Sequence, residues 1–118
     1  MRTQSGIGAS RGAAKPKQVC RHYHGAVELI GRRWAGAILY ALTDGPLHFA
    51  ELKEAVPGMS DRLLSHRLKE LEEAELVRRE VQQAGNRVRV SYELTQKGHS
   101  LEPVMGGLRD WARHWHRV

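Results

Sequence analysis

Phe49–Ala74, FAELKEAVPGMSDRLLSHRLKELEEA, is the stretch whose reading decides the fold. Phe49, Leu52, Ala55 and Val56 share one face of a helix covering about Phe49–Val56, by the 3.6-residue period. Pro57-Gly58-Met59 ends that helix. Ser60 then stands where an N-cap belongs, with a side-chain oxygen able to accept an orphaned backbone N–H. The next helix, about Asp61–Ala74, carries Leu64, Leu68 and Leu71 at i, i+4 and i+7. At about 100° per residue, Arg62, His66 and Lys69 project almost opposite Leu68, with Ser65 beside them. The pattern is helix, short turn, helix, with a polar and cationic face on the second helix.

Downstream of Leu76 the period changes to two. Val88, Val90, Tyr92 and Leu94 alternate with Arg87, Arg89, Ser91 and Glu93, and Val77, Arg79, Val81 and Gln83 alternate with Arg78, Glu80 and Gln82. Ala84-Gly85-Asn86 turns the chain between them, so Val77–Leu94 reads as a β-hairpin. Thr95 is expected to cap a final helix with the stripe Leu101, Val104, Met105, Leu108, Trp111, Ala112 and Trp115, kinked near its start by Pro103. Leu101 and Val104 are the members expected to pack back on the same chain.

Upstream, Ala26, Val27, Leu29 and Ile30 form a short helical stripe that stops near Gly31. A second helix is expected over about Arg33–Leu42, with Trp34, Ala37, Ile38 and Ala41 on one face. Thr43-Asp44-Gly45-Pro46 has turn composition. Residues 1–18 hold Arg2, Arg11, Lys15 and Lys17 with no acid, a flexible basic arm ahead of a domain over 19–118. The fold class is therefore mainly α with a small β-hairpin (α+β), a winged helix-turn-helix flanked by terminal helices.

The 118 residues allow one domain with a modest core, and 41% hydrophobic with 27% charged residues is ordinary for a globular chain. Net charge is +6, of which the arm supplies +4, so residues 19–118 carry 15 basic and 13 acidic groups. Such a surplus binds a polyanion only if the cations gather on one surface. No apolar run reaches the roughly 20 residues that span a bilayer, and no apolar segment follows the basic N-terminus as in a signal peptide, so a cytoplasmic address and no membrane partner are expected. Cys20 is the single cysteine; it can form no internal disulfide and alone completes no zinc site, yet it could bridge two subunits or sense oxidants.

A helix entering the major groove needs a face such as Arg62, Ser65, His66 and Lys69: Arg forks onto guanine, Ser and His reach base edges, and Lys pairs with phosphate. Most cationic helix faces are merely solvated. The turn before this one and the hairpin after it favour double-stranded DNA. Arg87 and Arg89 lie on one side of a strand beside the hairpin tip, placed for backbone or minor groove, although cations also guard sheet edges. Trp111 and Trp115 would each bury on the order of 150–250 Å² when covered. With Leu108 and Ala112 they mark a homodimer surface, and a two-fold dimer matches a palindromic operator. Cys20, His22 and His24, and the pair His114 and His116, suggest a metal; but i and i+2 diverge on a helix, and solvated or capping histidines are favoured, with no metal or cofactor expected. A Gly-rich phosphate loop, a Gly-x-Ser-x-Gly elbow and a His-Glu-x-x-His motif are all missing, so no catalytic residue is assigned and no enzyme is expected. The competing classes are a winged protein–protein adaptor and a small metal- or thiol-binding protein.

From His24 onward the chain resembles HxlR-type regulators, a winged helix-turn-helix family related to the MarR group. The resemblance is carried by Glu28-Leu29-Ile30-Gly31-Arg32-Arg33-Trp34, Gly45-Pro46-Leu47-His48-Phe49-Ala50-Glu51-Leu52, Pro57 through Glu72, Tyr92-Glu93-Leu94-Thr95-Gln96-Lys97-Gly98 and Leu101-Glu102-Pro103-Val104. It implies a dimeric transcription factor, repressor or activator, that reads DNA through the Ser60–Glu73 helix and pairs through its terminal helices. It also implies a small-molecule or oxidant effector. Some members sense electrophiles through a cysteine just before the first helix, which makes Cys20 the redox candidate. That cysteine is usually followed by proline, whereas Arg21 follows Cys20, and the spacing to Ile30-Gly31 is one residue longer. Other members respond to small molecules near the dimer interface, where Tyr23, Trp34 and Trp111 are the expected lining.

Overall fold

The computed structural model describes residues 16–116; residues 1–15, most of the basic arm, and 117–118 lie outside the described residues. Six helices and three strands follow in the order α1 (Arg21–Gly31), α2 (Ala35–Ala41), β1 (Leu47–His48), α3 (Phe49–Ala55), α4 (Asp61–Glu73), β2 (Val77–Ala84), β3 (Arg87–Leu94), α5 (Gln96–His99) and α6 (Glu102–Trp115).

The apolar faces of α2, α3 and α4 meet in one core. Ile38, Leu39, Leu42, Leu52 and Leu64 are fully buried, and Leu68 and Leu71 are 1% exposed. Leu76, Val77 and Leu94 close the core where the hairpin leaves it. The strands form an antiparallel sheet in the order β1-β3-β2. Val77 faces Leu94 at the base and Ala84 faces Arg87 at the tip, leaving a two-residue Gly85-Asn86 loop. Gly85 takes φ 63° there, a conformation that costs a residue with a Cβ.

Four expectations are corrected. The second helix begins at Ala35 rather than Arg33, because Trp34 adopts φ 76° and breaks the helix before it starts. A third strand exists: Leu47 pairs with Tyr92 and His48 with Ser91, a ladder too short to show alternation. Thr95 caps the four-residue α5 instead of the final helix, its hydroxyl accepting the Gly98 N–H at 3.1 Å. Gly98 is required here, since a Cβ would run into the Leu76 carbonyl oxygen. Pro103 falls in the first turn of α6, where no intrahelical N–H is needed, and so starts that helix rather than kinking it.

Candidate nucleic-acid interface

Helix α4 is held at its N-terminus and from beneath. Ser60 Oγ accepts the Leu63 N–H at 3.1 Å, and Asp61 in the first turn receives the Lys53 ammonium of α3 at 2.6 Å. Leu64, Leu68 and Leu71 anchor the underside. This leaves Arg62, Ser65, His66 and Lys69 exposed on the outer side, and together with Ser60 and Leu63 they line one shallow depression. Five of the sequence-assigned DNA residues thus share one surface.

Arg87 and Arg89 stand exposed near the hairpin tip, opposite Ala84 and Gln82. They share a face with Arg78, whose guanidinium pairs with Glu93 at 2.6 Å and Glu80 at 3.1 Å. Those carboxylates hold the Arg78 pKa above its usual value, the Glu93 hydrogen bond foremost. Arg32, Lys53, Arg67, Arg78 and Arg109 are ion-paired, whereas among the described residues Arg62, Lys69, Arg87 and Arg89 have no carboxylate partner, a property they share with Lys17, Arg21, Arg33, Arg79, Lys97 and Arg113. An exposed, unpaired guanidinium or ammonium can exchange its counterions for phosphates.

Sequence reasoning missed the residues behind this face. Arg67 Nε donates to the Arg33 carbonyl at 3.1 Å, Arg67 pairs with Glu70 at 3.0 Å, and Arg32 reaches the same carboxylate at 2.5 Å. His66 lies 3.6 Å from Glu70. Arg67 and Glu70 are legible as an i,i+3 pair, but nothing in the pattern brings in Arg32.

The terminal helices are under-packed. Helix α1 buries no residue, and α6 buries Met105 alone. Leu108, Trp111 and Trp115 are 60%, 57% and 69% exposed. Val104, expected to pack inward, is also exposed, while Leu101 does lie against the core. Leu108 and Ala112 flank a hollow shared with Ile30, Gly36 and Tyr40. Trp34 does not join Tyr23 and Trp111, because its ring lies over Gly58 in the turn before α4, within 3.3 Å of where a Cβ would stand. Cys20 is the exposed N-cap residue of α1. The backbone N–H of Tyr23, and then that of His22, lowers its thiol pKa, although neither closes a full capping hydrogen bond. His22 and His24 diverge on α1. Among the described residues no group of three or more His, Cys, Asp or Glu side chains is placed to hold a metal, and no helix is long and apolar enough to cross a membrane.

The model of the HxlR-like helix-turn-helix family matches residues 29–118. The chain belongs to that family. YodB of Bacillus subtilis, an HTH-type transcriptional regulator, is 42% identical over 94 residues, covering 80% of this chain and 83% of YodB. YvaP of the same organism, an uncharacterized HTH-type transcriptional regulator, is 39% identical over 98 residues, 83% of this chain and 90% of YvaP. Among solved structures, the reduced form of YodB superimposes with a TM-score of 0.75 at 39% identity over 85% of this chain and 97% of that one; YodB is also solved diamide-treated and quinone-bound. The redox regulator HypR in its reduced form gives 0.74 at 31% identity over 79% and 91%. The chain is an HxlR-type transcriptional regulator with the winged helix-turn-helix fold.

Proposed function

We propose that this HxlR-type regulator acts in the cytoplasm as a homodimer that reads a palindromic operator, with α4 in the major groove and the hairpin against the flanking backbone. The gathering of exposed cations and hydrogen-bonding side chains on α4 and the wing tip carries the reading. Arg62 and Lys69 share the exposed side of α4 with Ser65 and His66, Arg87 and Arg89 share one face of the wing near its tip, and none of these four cations has a carboxylate partner among the described residues. Arg62, Ser65 and His66 read base edges; Lys69, Arg87 and Arg89 hold phosphates. Leu108, Trp111, Ala112 and Trp115 form the dimer surface. Cys20 is the switch, since its exposed thiol is shifted toward thiolate and a thiolate is the form that oxidants and electrophiles attack. The redox- and quinone-related structures of YodB and HypR support that choice of effector class.

Fluorescence anisotropy with the DNA upstream of the protein's own gene, against a scrambled duplex and across a salt series, tests the proposal. Each arm is run with reduced and with oxidised protein. Tight binding to the upstream DNA alone is expected, weakened or strengthened by oxidation in the wild type and indifferent to it in Cys20→Ser. Arg62→Ala should relax preference at one base position by about 1–3 kcal/mol. Equal loss on every sequence would remove Arg62 from base reading. Equally weak binding to both duplexes, with and without oxidation, would favour the adaptor class.

A further inference from the structure

Helix α1, which carries Cys20, packs mainly against α2, and a cleft of about 740 Å³ opens between α1 and α4, walled by Val27, Glu28, Arg32, Arg67 and Glu70. What crosses that cleft is the three-residue loop Arg32-Arg33-Trp34, and each of its residues grips the α3–α4 unit at a different place. The Arg32 guanidinium reaches Glu70 on α4 at 2.5 Å. The Arg33 carbonyl accepts from Arg67 Nε on α4 at 3.1 Å. The Trp34 ring covers Gly58 in the turn that enters α4, and Arg33 stacks on that ring at 5.0 Å. Trp34 holds a left-handed backbone, φ 76°, at the end of this loop, a conformation that costs a residue with a Cβ.

We propose that Arg32-Arg33-Trp34 is a strap that couples α1 to the reading helix, with Arg32, Arg67 and Glu70 as positioning residues for DNA recognition. The strap grips α4 near its N-terminus and again two turns later, so a tilt of α1 is converted into a tilt of α4 instead of being lost in the cleft. Glu70 Oε2, the oxygen that Arg32 reaches, also lies 3.6 Å from His66 on the reading face, so one carboxylate oxygen meets both the strap and a base-reading side chain. Coupling of this kind is reciprocal: whatever α1 does to DNA affinity, bound DNA must do to α1.

The inference rests on α4 being the DNA reader, and the test keeps the two apart by measuring binding and coupling separately. Anisotropy with the protein's upstream DNA reports binding. Hydrogen exchange of the α1 amides, with and without that DNA, reports coupling. In the wild type, DNA should change α1 exchange by severalfold even though α1 touches no base. In Arg32→Ala and in Glu70→Gln the DNA-induced change should fall at least threefold, and Arg32→Lys, which keeps one cationic donor, should restore it. A purely structural role for the loop would raise exchange equally in free and bound protein and leave the difference untouched. Specific binding with α1 exchange unmoved by DNA, or with the change intact in Arg32→Ala and Glu70→Gln, would overturn the strap while leaving the reader in place. Failure of the wild type to bind any duplex specifically would overturn the reader, and the strap with it.

Discussion

Helices α4 and α6 have nearly the same length and the same kind of apolar stripe, yet one stripe is filled and the other is open. On α4, Leu64, Leu68 and Leu71 are at most 1% exposed, each covered by residues of its own chain. On α6, Met105 is buried, but Leu108, Trp111 and Trp115 face outward at 57% exposure or more. Amphipathic period shows that a helix wants a partner; it does not say whose. The difference lies in position along the chain. α4 is embedded among α2, α3 and the hairpin, whereas α6 leaves the core after Met105 and beyond it reaches its own chain chiefly through Arg109, which donates to the Tyr40 hydroxyl at 3.4 Å, leaving the apolar stripe uncovered. An apolar surface of that kind marks an interaction site, and the equally unburied α1 lies near it, through Ile30 beside Leu108 and Ala112.

The contrast is broken hardest at α4. Leu68→Ala should cost about 2–5 kcal/mol of folding stability, because it opens a cavity that α3 and the hairpin cannot fill. Leu108→Ala, the same truncation on α6, should change the stability of dilute, dissociated protein by no more than about 0.5 kcal/mol. Chemical denaturation of both variants at low protein concentration measures the pair. Equal losses would mean that α6 packs on its own chain after all. Next in size is Trp111→Ala, expected to remove about 2 kcal/mol or more of association while leaving the protomer folded. Sedimentation velocity over a concentration series reads this directly: a wild-type dimer and a dissociating variant sharpen the contrast, and an undisturbed dimer moves the interface elsewhere.

Why α4 was legible and α6 only half so has the same origin. The turn and cap before α4 are written in Pro57, Gly58 and Ser60, and the hairpin in its alternation and Gly85, all local signals that the fold obeys. Where tertiary contact competes with local preference, the pattern misleads. Arg33 and Trp34 read as helix, but Trp34 gives up helical geometry to cover Gly58. Thr95 reads as the cap of a long helix, but the tight approach of Gly98 to Leu76 confines it to one turn before the chain redirects. Strand β1 is invisible because two residues cannot show a period, and it exists since Leu47 finds Tyr92 forty-odd residues away. The cationic face of α4 was recognisable from spacing alone; the Arg32–Glu70–Arg67 network that braces it was not, because one member comes from a distant loop.

The smallest expected effect concerns the two helix N-termini. Helix α4 begins with Asp61, whose charge already answers the positive end of the helix, while α1 has no acid in its first turn. The Cys20 thiol therefore meets the first N–H groups of α1 without a competing carboxylate on that turn, and the Tyr23 and His22 amides lower its pKa. Because the folded value lies below the unfolded one, the native thiol should alkylate faster than the urea-unfolded thiol at low pH, where both are mostly protonated. The advantage should shrink as pH rises through the folded and then the unfolded pKa, and give way to a small deficit once both are thiolate, because the thiolate of lower pKa is the weaker nucleophile. An iodoacetamide rate profile on native and unfolded protein at low ionic strength checks this, and raising the salt should narrow the gap because the site is fully open to solvent. Coincident profiles would show that α1 does nothing for the thiol, leaving Arg21 and the histidines beside it to account for any reactivity that Cys20 has.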